Sequence, residues 1–202
     1  VDTALDDIEI VESLDTKNHW MERKNLILEN GPKVYTSKRE LLKDSEEPEN
    51  VSLATFKPAE FTGFSWEEDE REWTGNFQNN IQQKDLFDER GGKGDRDTVK
   101  KLPYKFFYEF VDEEGISSKL MIEDWEIGAL YWNCLDRADG DEQIALQKVN
   151  EKYWDDFTRN KDLYLFLGTT LQWHTRRSRN PFVIIGVFYP TVDPQKDQGE
   201  LF

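Results

Sequence analysis

Residues 104–122 have the sequence YKFFYEFVDEEGISSKLMI, a pattern typical of a β-hairpin. Aromatic side chains recur at every second position, so they lie on one face of a strand: Tyr104, Phe106, Tyr108 and Phe110. Asp112–Gly115 is rich in turn-forming residues, and Lys119–Ile122 begins a return strand. We therefore predict two adjacent antiparallel strands in this stretch.

After Ile122 the spacing of the apolar residues becomes helical. One face carries them at intervals of three and four: Ile127, Leu130, Tyr131, Cys134 and Leu135. Asp124 is placed as the N-cap, and Glu126 lies in the first turn, where the helix dipole favours an acid. Asp139–Asp141 ends this helix and caps a second one that continues to about residue 160.

Two strongly apolar segments follow, Leu163–Leu167 and Phe182–Tyr189, and such runs suit strands that are covered on both faces. The order over residues 103–190 is thus strand, strand, helix, helix, strand, strand. It predicts an α+β fold, in which helices pack on a mostly antiparallel sheet.

The first hundred residues are more polar and contain only short strand-like stretches: 7–11, 52–57 and 60–66. Gly91–Gly94 lies among charges of both signs, a composition typical of a linker. We therefore predict four parts: an acidic, strand-containing N-terminal arm (1–87), a linker (88–101), an α+β core domain (102–192) and a C-terminal tail (193–202).

The charge of the chain excludes several classes of protein. The 202 residues include 42 Asp and Glu against 26 Lys and Arg, a net charge of −16. Such a surface repels phosphate, which excludes general coating of nucleic acid or anionic lipid. The 13 % of aromatic residues exclude a wholly disordered chain. No apolar run reaches the ~20 residues of a membrane helix, and a lone Cys134 forms no intramolecular disulfide. We expect a cytoplasmic protein without membrane contact.

The acids around Trp125 are the first candidate for chemistry. Asp124 and Glu126 lie where a strand gives way to a helix, and Lys119 lies on the preceding strand. Acids with a nearby lysine are typical of metal-dependent nucleases and phosphoesterases, so a catalytic role is one hypothesis. The simpler interpretation is that Asp124 caps the helix and Glu126 favours its dipole.

A basic loop joins the last two apolar segments, and it is the best candidate binding site in the sequence. It contains no acid, and its candidate residues for binding phosphate or nucleic acid are Trp173, His174, Arg176, Arg177 and Arg179. Arginine binds phosphate through two parallel hydrogen bonds, and tryptophan stacks on bases. His174 is also a candidate general acid or base. The alternative is a solvated loop whose arginines pair with the protein's own acids.

A short peptide of the form Gln-x-x-Leu-Phe occurs twice, at residues 83–87 and 198–202. It resembles the motif by which many bacterial replication and repair proteins dock on the sliding clamp. The resemblance implies that each Leu-Phe pair enters an apolar pocket while the glutamine forms a hydrogen bond at its rim. The residues it assigns to docking are Gln83, Leu86, Phe87, Gln198, Leu201 and Phe202. The alternative is that Leu86 and Phe87 end an amphipathic helix packed on the protein's own core.

The sequence predicts no metal site and no cofactor, because two histidines and one cysteine supply no zinc pattern. It favours a non-enzymatic accessory protein of prokaryotic or phage DNA metabolism or defence, which docks on a protein partner and makes a local contact with nucleic acid. One alternative is a protein-only interaction subunit or inhibitor whose acids, such as Glu67–Glu70, imitate DNA. The other is the metal-dependent nuclease or phosphoesterase.

Overall fold

A computed structural model describes residues 13–73, 100–170 and 180–192. The strands are β1 (Val34–Tyr35), β2 (Leu53–Phe56), β3 (Glu60–Glu68), β4 (Tyr104–Val111), β5 (Ser117–Ile122), β6 (Tyr164–Thr169) and β7 (Phe182–Phe188). The α-helices are α1 (Lys17–Lys24), α2 (Lys38–Asp44), α3 (Trp125–Arg137), α4 (Glu142–Asn150) and α5 (Phe157–Asn160). Two π-helical segments, Asn25–Glu29 and Glu151–Asp156, continue α1 and α4. None of these helices is long and apolar enough to span a membrane.

The seven strands form one mixed sheet in the order β1-β2-β6-β7-β5-β4-β3. The α+β class is confirmed. The prediction of a mostly antiparallel sheet with that order is not confirmed, because β1 is parallel to β2 and β5 is parallel to β7. The second parallel pair follows from the chain path: α3–α5 lead from β5 to β6, and β7 turns back from β6 beside β5.

The sheet must curl, because the link between β2 and β3 is very short. The order of strands separates β2 from β3 by five steps, or about 24 Å in a flat sheet. Residues 57–59 alone connect them, and an extended chain spans about 14 Å over that length. Accordingly Ala59 N donates to the carbonyl of Val111 at 2.9 Å, and the rings of Phe56 and Phe110 lie 5.6 Å apart. The curl brings β2 and β4 together.

The sheet and the helices share one buried core. The alternating aromatic residues of β4 are the centre of this core, since Phe106 and Tyr108 are fully buried. The Tyr108 hydroxyl donates to the carbonyl of Tyr153 at 2.5 Å, which links β4 to the π-helical segment after α4. Burying each such side chain contributes about 1.5–3 kcal/mol to stability, so the aromatic alternation stabilises the packing of sheet on helices.

Local signals set the boundaries of several elements. Asp141 caps α4 by accepting from the amides of Gln143 and Ile144. In the turn between β4 and β5, Asp112 Oδ1 accepts from the amides of Glu114 and Ile116. Gly115 in this turn has a φ of +76°, a conformation that glycine adopts without strain.

The segment around α1 packs on the end of β7. The Trp20 ring lies 5.5 Å from Phe188 and 5.0 Å from Tyr189, and His19 Nδ1 is 2.7 Å from Thr191 Oγ1. Strands β2 and β3, which precede the predicted linker, belong to the same sheet as β4–β7. The division into four parts remains a prediction.

Candidate functional site

Asp124 is the N-cap of α3, as its position after β5 predicts. Its Oδ1 accepts from the amide of Glu126 at 2.9 Å. Burial raises the pKa of Asp124, and the hydrogen bond from that amide partly offsets the rise. Burial also raises the pKa of Tyr153, and the negative charge of Asp124 adds to the effect. Asp124 therefore has a structural role that accounts for its position.

Glu126 is exposed at the start of α3. Among the described residues no group of three or more His, Cys, Asp or Glu side chains could hold a metal ion. Lys119, the lysine expected to assist these acids, instead pairs with Glu67 of β3 at 2.8 Å. The catalytic hypothesis for Asp124 and Glu126 gains no support from these contacts.

The predicted basic loop connects two neighbouring antiparallel strands. Trp173, His174, Arg176, Arg177 and Arg179 lie outside the described residues. At the base of the loop Thr169 of β6 faces Phe182 of β7, and Asn180 Oδ1 accepts from the amide of Phe182 at 3.2 Å. The end of β6 and the start of β7 thus lie side by side in the middle of the sheet.

The first Gln-x-x-Leu-Phe peptide belongs to the connection between β3 and β4. Its own residues, Gln83, Leu86 and Phe87, lie outside the described part of the chain, as do Gln198, Leu201 and Phe202. The two ends of the connection are held together, since Asp69 N donates to the carbonyl of Pro103 at 2.8 Å. Asp69 also pairs with Lys105 at 2.9 Å and with Lys101 at 3.4 Å, and these bonds lower its pKa.

A second set of contacts ties the same connection to α4. Arg71 forms two hydrogen bonds with Glu142, at 2.6 and 3.0 Å, and the Tyr104 hydroxyl donates to Glu142 at 2.7 Å. These bonds, the one from Arg71 first, lower the pKa of Glu142 to about 2. We call Asp69, Arg71, Lys101, Lys105 and Glu142 the clasp.

Close to the clasp, the Tyr131 hydroxyl is buried without a hydrogen-bond partner among the described residues. Its ring packs edge-on against Tyr104 at 5.6 Å. Burial raises the pKa of Tyr131 to about 12, so the hydroxyl is protonated at neutral pH.

The structure also forms a cleft of about 430 Å³ that the sequence does not predict. It lies between the short β2–β3 link and α5, and its lining residues are Lys57, Pro58, Ala59, Glu60, Phe61, Trp154, Thr158, Arg159, Lys161 and Leu163. Its two walls are about a hundred positions apart in sequence. No local pattern in the sequence indicates that these walls approach each other.

The fold and these sites define an α+β protein with a curled mixed sheet and a long connection between β3 and β4. The chain belongs to the family described as domain of unknown function DUF8757, whose family model matches residues 34–202. Comparisons with curated proteins and with solved structures find no match.

Proposed function

We propose that this chain is an accessory docking protein of prokaryotic or phage DNA metabolism. It binds a sliding clamp through the peptides at 83–87 and 198–202, and its basic loop contacts phosphate or nucleic acid. The observation that supports this best is the clasp, which joins the two ends of the connection containing residues 83–87.

The clasp favours docking because it holds Asp69, at the start of the connection, next to Lys101 and Lys105, at its end. Lys101 and Asp69 are only 14 % and 22 % exposed, so solvent screens this ion pair less than an ordinary surface pair. A connection whose two ends are already held together loses less conformational entropy on binding than one whose ends are free. A second copy of the same peptide in the chain raises the effective concentration of docking sites.

The strand directions put the start of β4 and the start of β7 at opposite ends of the sheet. The clasped connection enters β4 at the end of the sheet where β7 finishes, and the basic loop enters β7 at the opposite end. A clamp on one end leaves the other end free for nucleic acid. The net charge of −16 disfavours broad contact with nucleic acid, so binding is expected at a local basic site such as this loop.

The two alternatives receive less support. An acidic mimic of DNA needs unpaired acids, but Glu67 pairs with Lys119 and Asp69 pairs with Lys101 and Lys105. A metal-dependent nuclease needs acids that face a common space, whereas Asp124 caps a helix and Glu126 is exposed.

Co-precipitation with a bacterial sliding clamp tests the proposal. The intact protein should bind the clamp, and binding should be lost when Leu86, Phe87, Leu201 and Phe202 are changed to alanine. The matched control changes Lys84, Asp85 and Glu200 to alanine, because these positions vary in the motif, and it should bind like the unmodified protein. Absence of binding by the intact protein, or equal loss in the control, would reject the proposal.

A further inference from the structure

We infer that the cleft between the β2–β3 link and α5 binds a small phosphate monoester that carries a flat ring, such as a nucleoside monophosphate. This site involves none of the residues assigned to docking. This inference is therefore independent of the proposed function.

The size of the cleft fits such a ligand. Its volume of about 430 Å³ lies within the range of about 300–1,000 Å³ typical of small-molecule sites. The cleft is a consequence of the curl, since residues 57–59 bring the end of β2 and the start of β3 against α5. The backbone elements on both sides thus form part of the core architecture.

Three cations line the cleft against a single acid, Glu60. This is the reverse of the balance in a chain with a net charge of −16. Lys57, Arg159 and Lys161 together suit an anion with more than one charge, and a phosphate monoester carries about −1.5 to −2 at pH 7. A single carboxylate carries only one negative charge.

Contacts hold Lys57 in place and leave one of its ammonium N–H donors for a ligand. Its Nζ pairs with Asp162 at 2.5 Å and donates to the carbonyl of Leu163 at 3.1 Å, and it lies 4.3 Å from the centre of the Tyr164 ring. An ammonium group has three N–H donors, so one remains for a ligand. Asp162 is not among the lining residues, and its ion pair holds the lysine in place.

The other two cations, Arg159 and Lys161, form fewer contacts with acidic side chains of the described residues. Among the described residues Arg159 forms one ion pair, at 3.4 Å to Asp155, and its side chain is 65 % exposed. A guanidinium group has five N–H donors, and two in parallel match a phosphate. Lys161 forms no ion pair with any described residue, and its position in the lining lets its charge act on a bound anion.

The remaining wall supplies the surface for a ring. Trp154 is half-buried in the lining and makes no ring-to-ring contact with the described residues. Stacking of a base on an aromatic side chain contributes about 1–3 kcal/mol. Glu60 can accept a hydrogen bond from a sugar hydroxyl. The combination of three cations with an open indole favours a phosphate monoester with a ring over bare phosphate.

Isothermal titration calorimetry of the full chain with AMP, ribose 5-phosphate and adenosine tests this inference. We expect AMP to bind most tightly and its affinity to fall with added salt. The double variant Arg159→Ala/Lys161→Ala should weaken AMP binding at least tenfold. Trp154→Ala should weaken AMP but leave ribose 5-phosphate unchanged. The matched control is Lys148→Ala, an exposed lysine on α4 paired with Glu151 outside the lining, and it should bind AMP normally.

Three results would overturn the inference: no heat with AMP at millimolar concentration, equal loss in Lys148→Ala, or equal affinity for AMP and ribose 5-phosphate. Circular dichroism and melting curves of each variant establish that it is folded before titration. Repeating the titration with the Leu86→Ala/Phe87→Ala variant separates the two proposals, because AMP binding should persist there.

Discussion

Replacing Tyr131 by phenylalanine should stabilise the protein, although it removes a polar group from the centre of the fold. The Tyr131 side chain is fully buried, and its hydroxyl lacks a hydrogen-bond partner among the described residues. An unsatisfied buried hydroxyl costs about 1–3 kcal/mol of desolvation. Removing it leaves a gap of only one oxygen atom, so we expect a net gain of about 1 kcal/mol.

Tyr108 offers a matched comparison in the same core. It is equally buried, but its hydroxyl donates to the carbonyl of Tyr153. Tyr108→Phe removes that bond and leaves a buried carbonyl without it, which should cost about 1–2 kcal/mol. The same chemical change is thus expected to act in opposite directions at the two positions.

Differential scanning calorimetry and urea unfolding of both variants measure this difference. For a chain of this size, 1 kcal/mol corresponds to about 2–4 °C in Tm. Tm should rise for Tyr131→Phe and fall for Tyr108→Phe. A loss of stability in Tyr131→Phe as large as that in Tyr108→Phe would refute the reasoning, because it would mean that the Tyr131 hydroxyl is hydrogen-bonded.

Three further predictions follow from local contacts. Because Arg71 lowers the pKa of Glu142 to about 2, this acid stabilises the fold above its unfolded pKa of about 4.3 and ceases to do so as the pH falls towards 2. The urea midpoint of Glu142→Gln should therefore change less between pH 5 and pH 2 than that of the unmodified protein. An equal change in the two proteins would contradict this. Asp124→Ala should lose about 1 kcal/mol in urea unfolding through loss of the α3 cap, whereas an unchanged midpoint would show that the cap is dispensable. Gly168→Ala places a methyl group 3.0 Å from Ile185 Cγ2, and this crowding should lower the free energy of unfolding by about 1–3 kcal/mol. Adding Ile185→Ala removes the crowded side chain and should recover part of the loss in Tm. If the effects of the two changes are purely additive, the steric explanation is contradicted.

The sequence predicts the elements whose signals are local. Alternating aromatics give β4, the Asp112–Gly115 turn gives the β4–β5 hairpin, and Asp124 gives the start of α3. In each case the responsible residues are close together in the sequence, or they alternate between the two faces of one strand. Such interactions leave a periodic pattern that can be recognised without knowledge of the fold.

The features that sequence reasoning misses depend on contacts between distant residues. The parallel pairing of β5 with β7 is set by where β6 and β7 insert into the sheet, which no periodicity encodes. The cleft likewise combines Lys57 with Arg159 and Lys161, which a local pattern cannot connect. The clasp around Asp69 joins residues on either side of a long connection, so it too is visible only in the fold.

The most direct test of the account is the dissociation constant of the intact chain and a bacterial sliding clamp, measured by isothermal titration calorimetry. The account predicts saturable binding that disappears when Leu86, Phe87, Leu201 and Phe202 are changed to alanine, while the melting curve of the chain stays the same. A folded, intact chain that gives no binding heat with the clamp, or a quadruple variant that binds as tightly as the unmodified protein, would contradict it.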